Sequence, residues 1–117
     1  MTIVAPVLFA VALSLSDVKA YLHSIVPQFE NVTEPAVVVQ RLPTKGVPLL
    51  LQYKVLGEYN PETNTITISE NTLKRGRSDE MKDIMVHEMT HAWIAANKID
   101  DKSDHGPAFK KKYREVC

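Results

Sequence analysis

Apolar and polar positions recur along this chain in two distinct periods, and the periods mark out its elements. Across residues 79–98, Met81, Ile84, Met85, Met89 and Trp93 return at steps of three and four with no Pro or Gly between them. That is the spacing of one buried face of a helix. Ser78-Asp79 stands where a cap belongs, and Asp79, Glu80 and Asp83 suit the positive end of the helix dipole. A second helix is expected over 17–26, capped by Ser16, with Val18, Leu22, Ile25 and Val26 inward and Pro27 as its stop. A third is expected over 107–116. Pro107 sits in its first turn, and Phe109, Tyr113 and Val116 share one face.

Strand signals fill the middle of the chain. Ala36–Leu42 is rich in Val and ends at Pro43, Leu50–Tyr59 alternates in part, and Thr65–Ser69 alternates fully. Lys45-Gly46-Val47-Pro48 reads as a turn, and Asn60-Pro61-Glu62-Thr63-Asn64 joins the last two strands as an antiparallel hairpin. The expected architecture is a single α+β domain over 1–117, with a small, mainly antiparallel three-stranded sheet packed against helices. Residues 3–13 are nearly all apolar. They are too few for a membrane span, which needs about 20. No Lys or Arg precedes them as in a secretory signal, although Ala10-Val11-Ala12 resembles a cleavage site. Segment 1–15 is therefore read as an element packed on the domain.

The chemistry lies on the longest helix. His87-Glu88-Met89-Thr90-His91 has the form H-E-x-x-H. Histidines four apart share one helix face, about 5–6 Å apart, so two imidazoles can converge on one ion. Glu88 then lies beside that ion, where a carboxylate can take a proton from water. A catalytic zinc takes three protein ligands and keeps a position open. The helix should end near Asn97-Lys98, roughly 10 Å beyond His91. Residues 99–105 can span about 23 Å and so turn back to the site. His105 is the leading third ligand; Asp100, Asp101 and Asp104, and less easily Glu115, are the alternatives. A metzincin would place its third histidine at position 97, which is Asn.

His87-Glu-Met-Thr-His-Ala-Trp93 followed by Asp104-His-Gly-Pro-Ala-Phe109 resembles the SprT-like metalloproteases, which include the Spartan-type proteases of DNA–protein crosslinks. The resemblance runs over roughly residues 53–116 and takes in Gly57-Glu-Tyr-Asn-Pro61 and Thr65–Ser69 as the hairpin before the helix. It implies a zincin-like fold, with His87, His91 and His105 as zinc ligands and Glu88 as catalytic base. It further implies a polypeptide substrate and action on DNA-associated proteins. The paired cysteines of the zinc ribbon found in many members have no counterpart here, since Cys117 is the lone cysteine.

Composition narrows the partners. A formal net charge of zero gives no global field for nucleic acid. Two basic clusters remain: Lys74, Arg75 and Arg77 before the long helix, and Lys110, Lys111, Lys112 and Arg114 after the third histidine. Each is either a solvated face or a weak contact for DNA phosphates. One cysteine excludes an intramolecular disulfide and points to the cytoplasm, with secretion as the alternative left by the apolar start. A monomer without membrane association is expected. Trp93 is read as a core residue and His23 as a surface one. Tyr53 and Tyr59 are strand aromatics, either of which could reach the cleft as an oxyanion donor. The rival to a zinc endopeptidase is a non-catalytic zinc-containing module that binds DNA or protein. Glu88 speaks against it, since a structural site has no use for a base.

Overall fold

The computed structural model describes residues 12–41, 56–101 and 103–117. In chain order the elements are α1 (Leu15–Ile25) and a short 3-10 turn (Val26–Gln28), then β1 (Ala36–Gln40), β2 (Gly57–Asn60) and β3 (Thr65–Ser69). The helices α2 (Glu70–Arg75), α3 (Ser78–Ala96) and α4 (Pro107–Val116) follow. The readings for the apolar N-terminus, for residues 42–55 including Tyr53, and for the turn at 45–48 lie outside the described residues.

Helix α1 starts earlier than the pattern suggested. Its cap is Ser14, not Ser16, because only Ser14 has an acceptor three residues on. The Ser14 hydroxyl accepts from the Asp17 N–H at 3.1 Å, and Asp17 Oδ2 accepts from the Ser14 N–H at 2.8 Å. This reciprocal capping box satisfies two orphan donors of the first turn; three residues after Ser16 stands Lys19, which cannot accept. Helix α3 likewise begins with Arg77, not Ser78, at its cap. Helix α2 went unread because one turn and a half is too short to show a period. It ends at Gly76, whose φ of 66° is the left-handed geometry that glycine adopts without cost.

The sheet is mixed, which corrects the expectation of a mainly antiparallel one. Its order is β1-β3-β2. The hairpin pairing of β2 with β3 is antiparallel as expected, but β1 runs parallel to β3. The cause is a clasp at the start of both strands. The Ala36 N–H donates to the Asn64 carbonyl at 3.1 Å, and Asn64 Nδ2 donates to the Thr33 carbonyl at 3.1 Å. With their first residues tied together, the strands must run the same way.

Register then sorts the faces. Val37 stands beside Ile66 and Val39 beside Ile68, while Tyr59 and Gly57 flank the same two isoleucines from the other side. Ile66 and Ile68 are wholly buried at the centre of the sheet. Helices α1 and α3 cover this face with Val18, Leu22 and Ile25 and with Met81, Ile84, Met85 and Met89. Burying each such side chain contributes about 1.5–3 kcal/mol. The helix that carries H-E-x-x-H is thus seated by its apolar face on the sheet, and its other edge carries His87 and His91 toward α4. No helix among the described residues is long and apolar enough to cross a membrane.

Candidate metal centre

His87 and His91 lie one turn apart on α3, with ring centroids 5.0 Å apart. The chain leaves α3 at Asn97, doubles back, and sets the His105 ring 4.9 Å from His87 and 5.0 Å from His91. Each of the three imidazoles offers a nitrogen within 4.8 Å of the other two. Nε2 of His87 and Nε2 of His105 are 3.2 Å apart. Tetrahedral ligation with zinc–nitrogen bonds of about 2.0–2.1 Å would place nitrogens about 3.3–3.4 Å apart. The His87–His105 spacing therefore suits a zinc-sized ion, and the three imidazoles suit it in chemistry. Burial, followed by the two neighbouring histidines, pushes the His87 pKa down to about 4, and burial with His105 lowers that of His91. These two rings are thereby held in the neutral form that binds metal.

One aromatic ring backs all three ligand candidates. Phe109, on the first turn of α4, lies 5.1 Å from His87, 4.7 Å from His91 and 4.8 Å from His105, centroid to centroid. The sequence marked Phe109 as a core residue, and it is buried, but its contacts put it behind the metal centre. The carboxylates weighed as alternative ligands fall elsewhere. Asp101 accepts the Ala108 N–H at 3.2 Å and the Phe109 N–H at 3.0 Å, so it caps α4. Glu115 lies 3.8 Å from Lys112, and neither it nor Asp100 joins the cluster. Asp104 lines the cleft beside the histidines.

Glu88 is buried at the floor of that cleft, a space of about 710 Å³ also lined by Gly57, Glu58, Tyr59, His87, His91, Asp104 and His105. Burial, and then the charges of Glu58 and Asp104, raises its pKa to about 7. A carboxylate so placed is a far stronger base than an exposed one, and a pKa near 7 suits proton transfer in both directions. Strand β2 reaches this close because residue 57 is Gly. A Cβ there would lie 2.6 Å from Ile84 Cγ2 and 3.5 Å from Glu88 Oε2. The signal was available in the sequence as a glycine inside a strand, which often marks a close approach. Tyr59 lines the cleft, but its hydroxyl donates to Asn64 Oδ1 at 2.8 Å and holds the hairpin. Glu58 was missed altogether; nothing in an isolated exposed strand residue marks it.

The two basic clusters come apart in the structure. Lys74 is 2.9 Å from Glu70, Arg75 pairs with Glu80, and Arg77 is 3.2 Å from Asp79. Lys112 leaves the expected basic rim entirely. It is buried between the rings of Phe29 and Trp93, with Nζ 2.9 and 3.1 Å from the two Glu30 oxygens. Trp93 is only half-buried, and its indole N–H donates to the same carboxylate at 2.7 Å. His23 is a surface residue as expected, 2.7 Å from Glu34.

Comparison with known proteins agrees with this geometry at the level of family. Residues 28–117 match the profile of the SprT-like family. No curated protein and no solved structure matches the chain.

Proposed function

Because this chain belongs to the SprT-like family, we propose that it is a zinc-dependent endopeptidase whose base is Glu88. The observation that carries the reading is the convergence of three histidines beside a buried carboxylate at the floor of an open cleft. His87, His91 and His105 would hold the ion. When bound, zinc supplies Lewis-acid polarisation of a peptide carbonyl and acidifies water. The chain's own groups supply the rest. Glu88 takes a proton from the attacking water onto its carboxylate and returns it to the leaving amine. Phe109 packs against all three imidazoles and holds their rings in place. The edge of β2, at Gly57–Asn60, offers backbone groups to an extended substrate and so favours sequence-tolerant binding.

DNA-associated proteins are the substrate class that the family resemblance suggests. A DNA contact would rest on Lys110, Lys111 and Arg114, since the other cations of both clusters are engaged with carboxylates.

The test is cleavage of a DNA-binding protein by zinc-loaded wild type and Glu88→Gln, with and without single-stranded DNA. Removing a general base costs about 10²–10⁴-fold in turnover. The expected result is cleavage by the wild type, with Glu88→Gln slower by that factor at unchanged zinc content. Equal cleavage by both proteins overturns the assignment of Glu88. Tight zinc binding with no cleavage under any condition transfers the site to a non-catalytic zinc module.

A further inference from the structure

His87 and His105 are shared by two hollows of opposite charge. On one side lies the cleft, with the carboxylates of Glu58, Glu88 and Asp104. On the other lies a smaller hollow of about 400 Å³, lined by His87, His105, Phe109, Lys110, Tyr113 and Arg114. Its walls follow from helical spacing. Phe109 and Tyr113 are four apart on α4 and stack with their rings 12° from parallel and 6.2 Å between centroids. Lys110 and Arg114 are four apart on the adjoining stripe of the same helix. The hollow thus has an aromatic wall and a cationic one, and it opens at the metal centre.

The two cations have no anion of their own. All 14 acidic residues of the chain lie among the described residues. Among the described residues the ion pairs join acidic side chains to other cations, and none involves Lys110 or Arg114. Like charges four apart on a helix repel one another and destabilise it slightly. An incoming carboxylate would relieve that repulsion, while the ring wall would take the apolar part of a side chain.

We propose that this hollow is a substrate subsite that selects an acidic residue on one side of the scissile peptide bond. The carboxylate is held by Lys110 and Arg114, and the apolar stem or an aromatic neighbour lies on Phe109 and Tyr113. The acidic cleft on the other side of His87 and His105 disfavours such a residue there. The specificity is therefore directional: one flank of the bond prefers Glu or Asp, and the opposite flank prefers neutral or basic residues. An acidic peptide suits the hollow better than a nucleic acid does, because two cations beside one small, shallow hollow match one carboxylate, whereas a strand of phosphates needs a cationic track. This inference rests on the protease reading for its location but not for its test.

The experiment uses labelled peptides of one neutral sequence, with Glu, Gln or Lys placed in turn at each of several positions on both sides of the bond. Binding is followed by fluorescence anisotropy on zinc-loaded Glu88→Gln, which does not depend on turnover, and cleavage is followed with the wild type. Glu at one flank should improve binding and kcat/KM by about tenfold over Gln, which corresponds to one favourable charge contact of about 1.4 kcal/mol. The double variant K110E/R114E, altered only at exposed side chains, should reverse the preference toward Lys with zinc content and Tm unchanged. Cleavage of all peptides alike, with no shift in the double variant, overturns the subsite and leaves the protease reading standing. Charge-selective binding that depends on Lys110 and Arg114, with no cleavage by the wild type, supports the hollow as an acidic-peptide site and removes the protease reading, and with it the scissile bond. If a single-stranded oligonucleotide binds through these two residues and acidic peptides do not, the hollow is a nucleic-acid contact and the inference fails.

Discussion

Two halves of the histidine centre are built in opposite ways. His87 and His91 stand on α3, where the backbone hydrogen bonds of the helix fix their spacing and the sheet fixes the helix. His105 stands on the segment between α3 and α4, whose described residues form no helix or strand. Its position depends on what ties that segment down: Asp101 on the first turn of α4, Gly106 packed against Asp101, and α4 held through Lys112 to Glu30 and Trp93. The spacing of the helical half is preorganised by local geometry, while the loop half is preorganised only by contacts remote in sequence. The difference teaches where each half is vulnerable. The helical half fails only when a histidine is removed, and the loop half can fail with every histidine present.

The largest effect should come from breaking the helical half directly. Zinc binding to small sites is worth about 10–16 kcal/mol, so one of three ligands accounts for roughly 3–5 kcal/mol. His91→Ala should therefore weaken zinc by a few hundredfold or more, measured by competition with a chromophoric chelator. The metal-free protein should keep its melting temperature, because the ring takes no part in the backbone of α3. Zinc-linked thermal stabilisation should vanish with the affinity. Unchanged affinity would remove His91 from the ligand set.

The same contrast explains what was legible beforehand. His87, Glu88 and His91 could be placed from the sequence because one helix carries them at fixed spacing. His105 could be placed only as the best of several candidates, since chain length permits the return without dictating it. Asp101 shows why. It stood as a rival ligand in the sequence, and only the fold reveals that its oxygens are spent on the N–H groups of Ala108 and Phe109. The strands were legible in their alternation, but the parallel pairing of β1 with β3 was not, because it depends on the clasp between residues 33–36 and Asn64. Lys112 read as one more surface lysine in a basic run; its burial depends on Glu30, 82 residues away.

A smaller effect should expose the electrostatic cost inside the helical half. In the metal-free protein the His87 pKa is lowered to about 4 from its ordinary 6.5, so the unfolded chain holds more protons there and stability falls as pH drops from 6.5 toward 4. Glu88 has the opposite sign. Its pKa is raised to about 7 from 4.5, so the folded chain holds the proton and stability falls as pH rises from 4.5 through 7. The two trends oppose each other between about pH 4.5 and 6.5. Glu88→Gln removes the second. The stability of the metal-free variant should rise with pH from 5 to 7 more steeply than that of the wild type. At pH 8 it should exceed the wild type by about 1–3 kcal/mol, the scale of such a shift at 1.36 kcal/mol per unit. Urea titrations at pH 5, 6, 7 and 8 would read this. Parallel profiles for the two proteins would mean that Glu88 ionises in the fold as readily as in water.

The smallest effect tests the loop half, and with it the comparison itself. Asp101→Ala leaves all three histidines and Glu88 in place but strips the cap from α4. Losing a helix cap costs about 0.5–2 kcal/mol. Since the capped turn is continuous with His105, most of that cost should fall on the metal-competent arrangement, and zinc affinity should drop about tenfold. Asp101→Asn should lie between, because its amide keeps one acceptor oxygen for one of the two N–H groups. Gly106 supplies the control. A Cβ there would sit 2.5 Å from Asp101 Oδ1, so Gly106→Ala should weaken zinc by displacing that carboxylate. In an Asp101→Ala background the clash is gone, and Gly106→Ala should then cost little more. Such non-additivity is the signature of two residues acting through one contact. Full additivity would mean that Gly106 serves the loop by some other route. Wild-type affinity in Asp101→Ala would show that His105 is held as firmly by its own segment as His91 is by its helix.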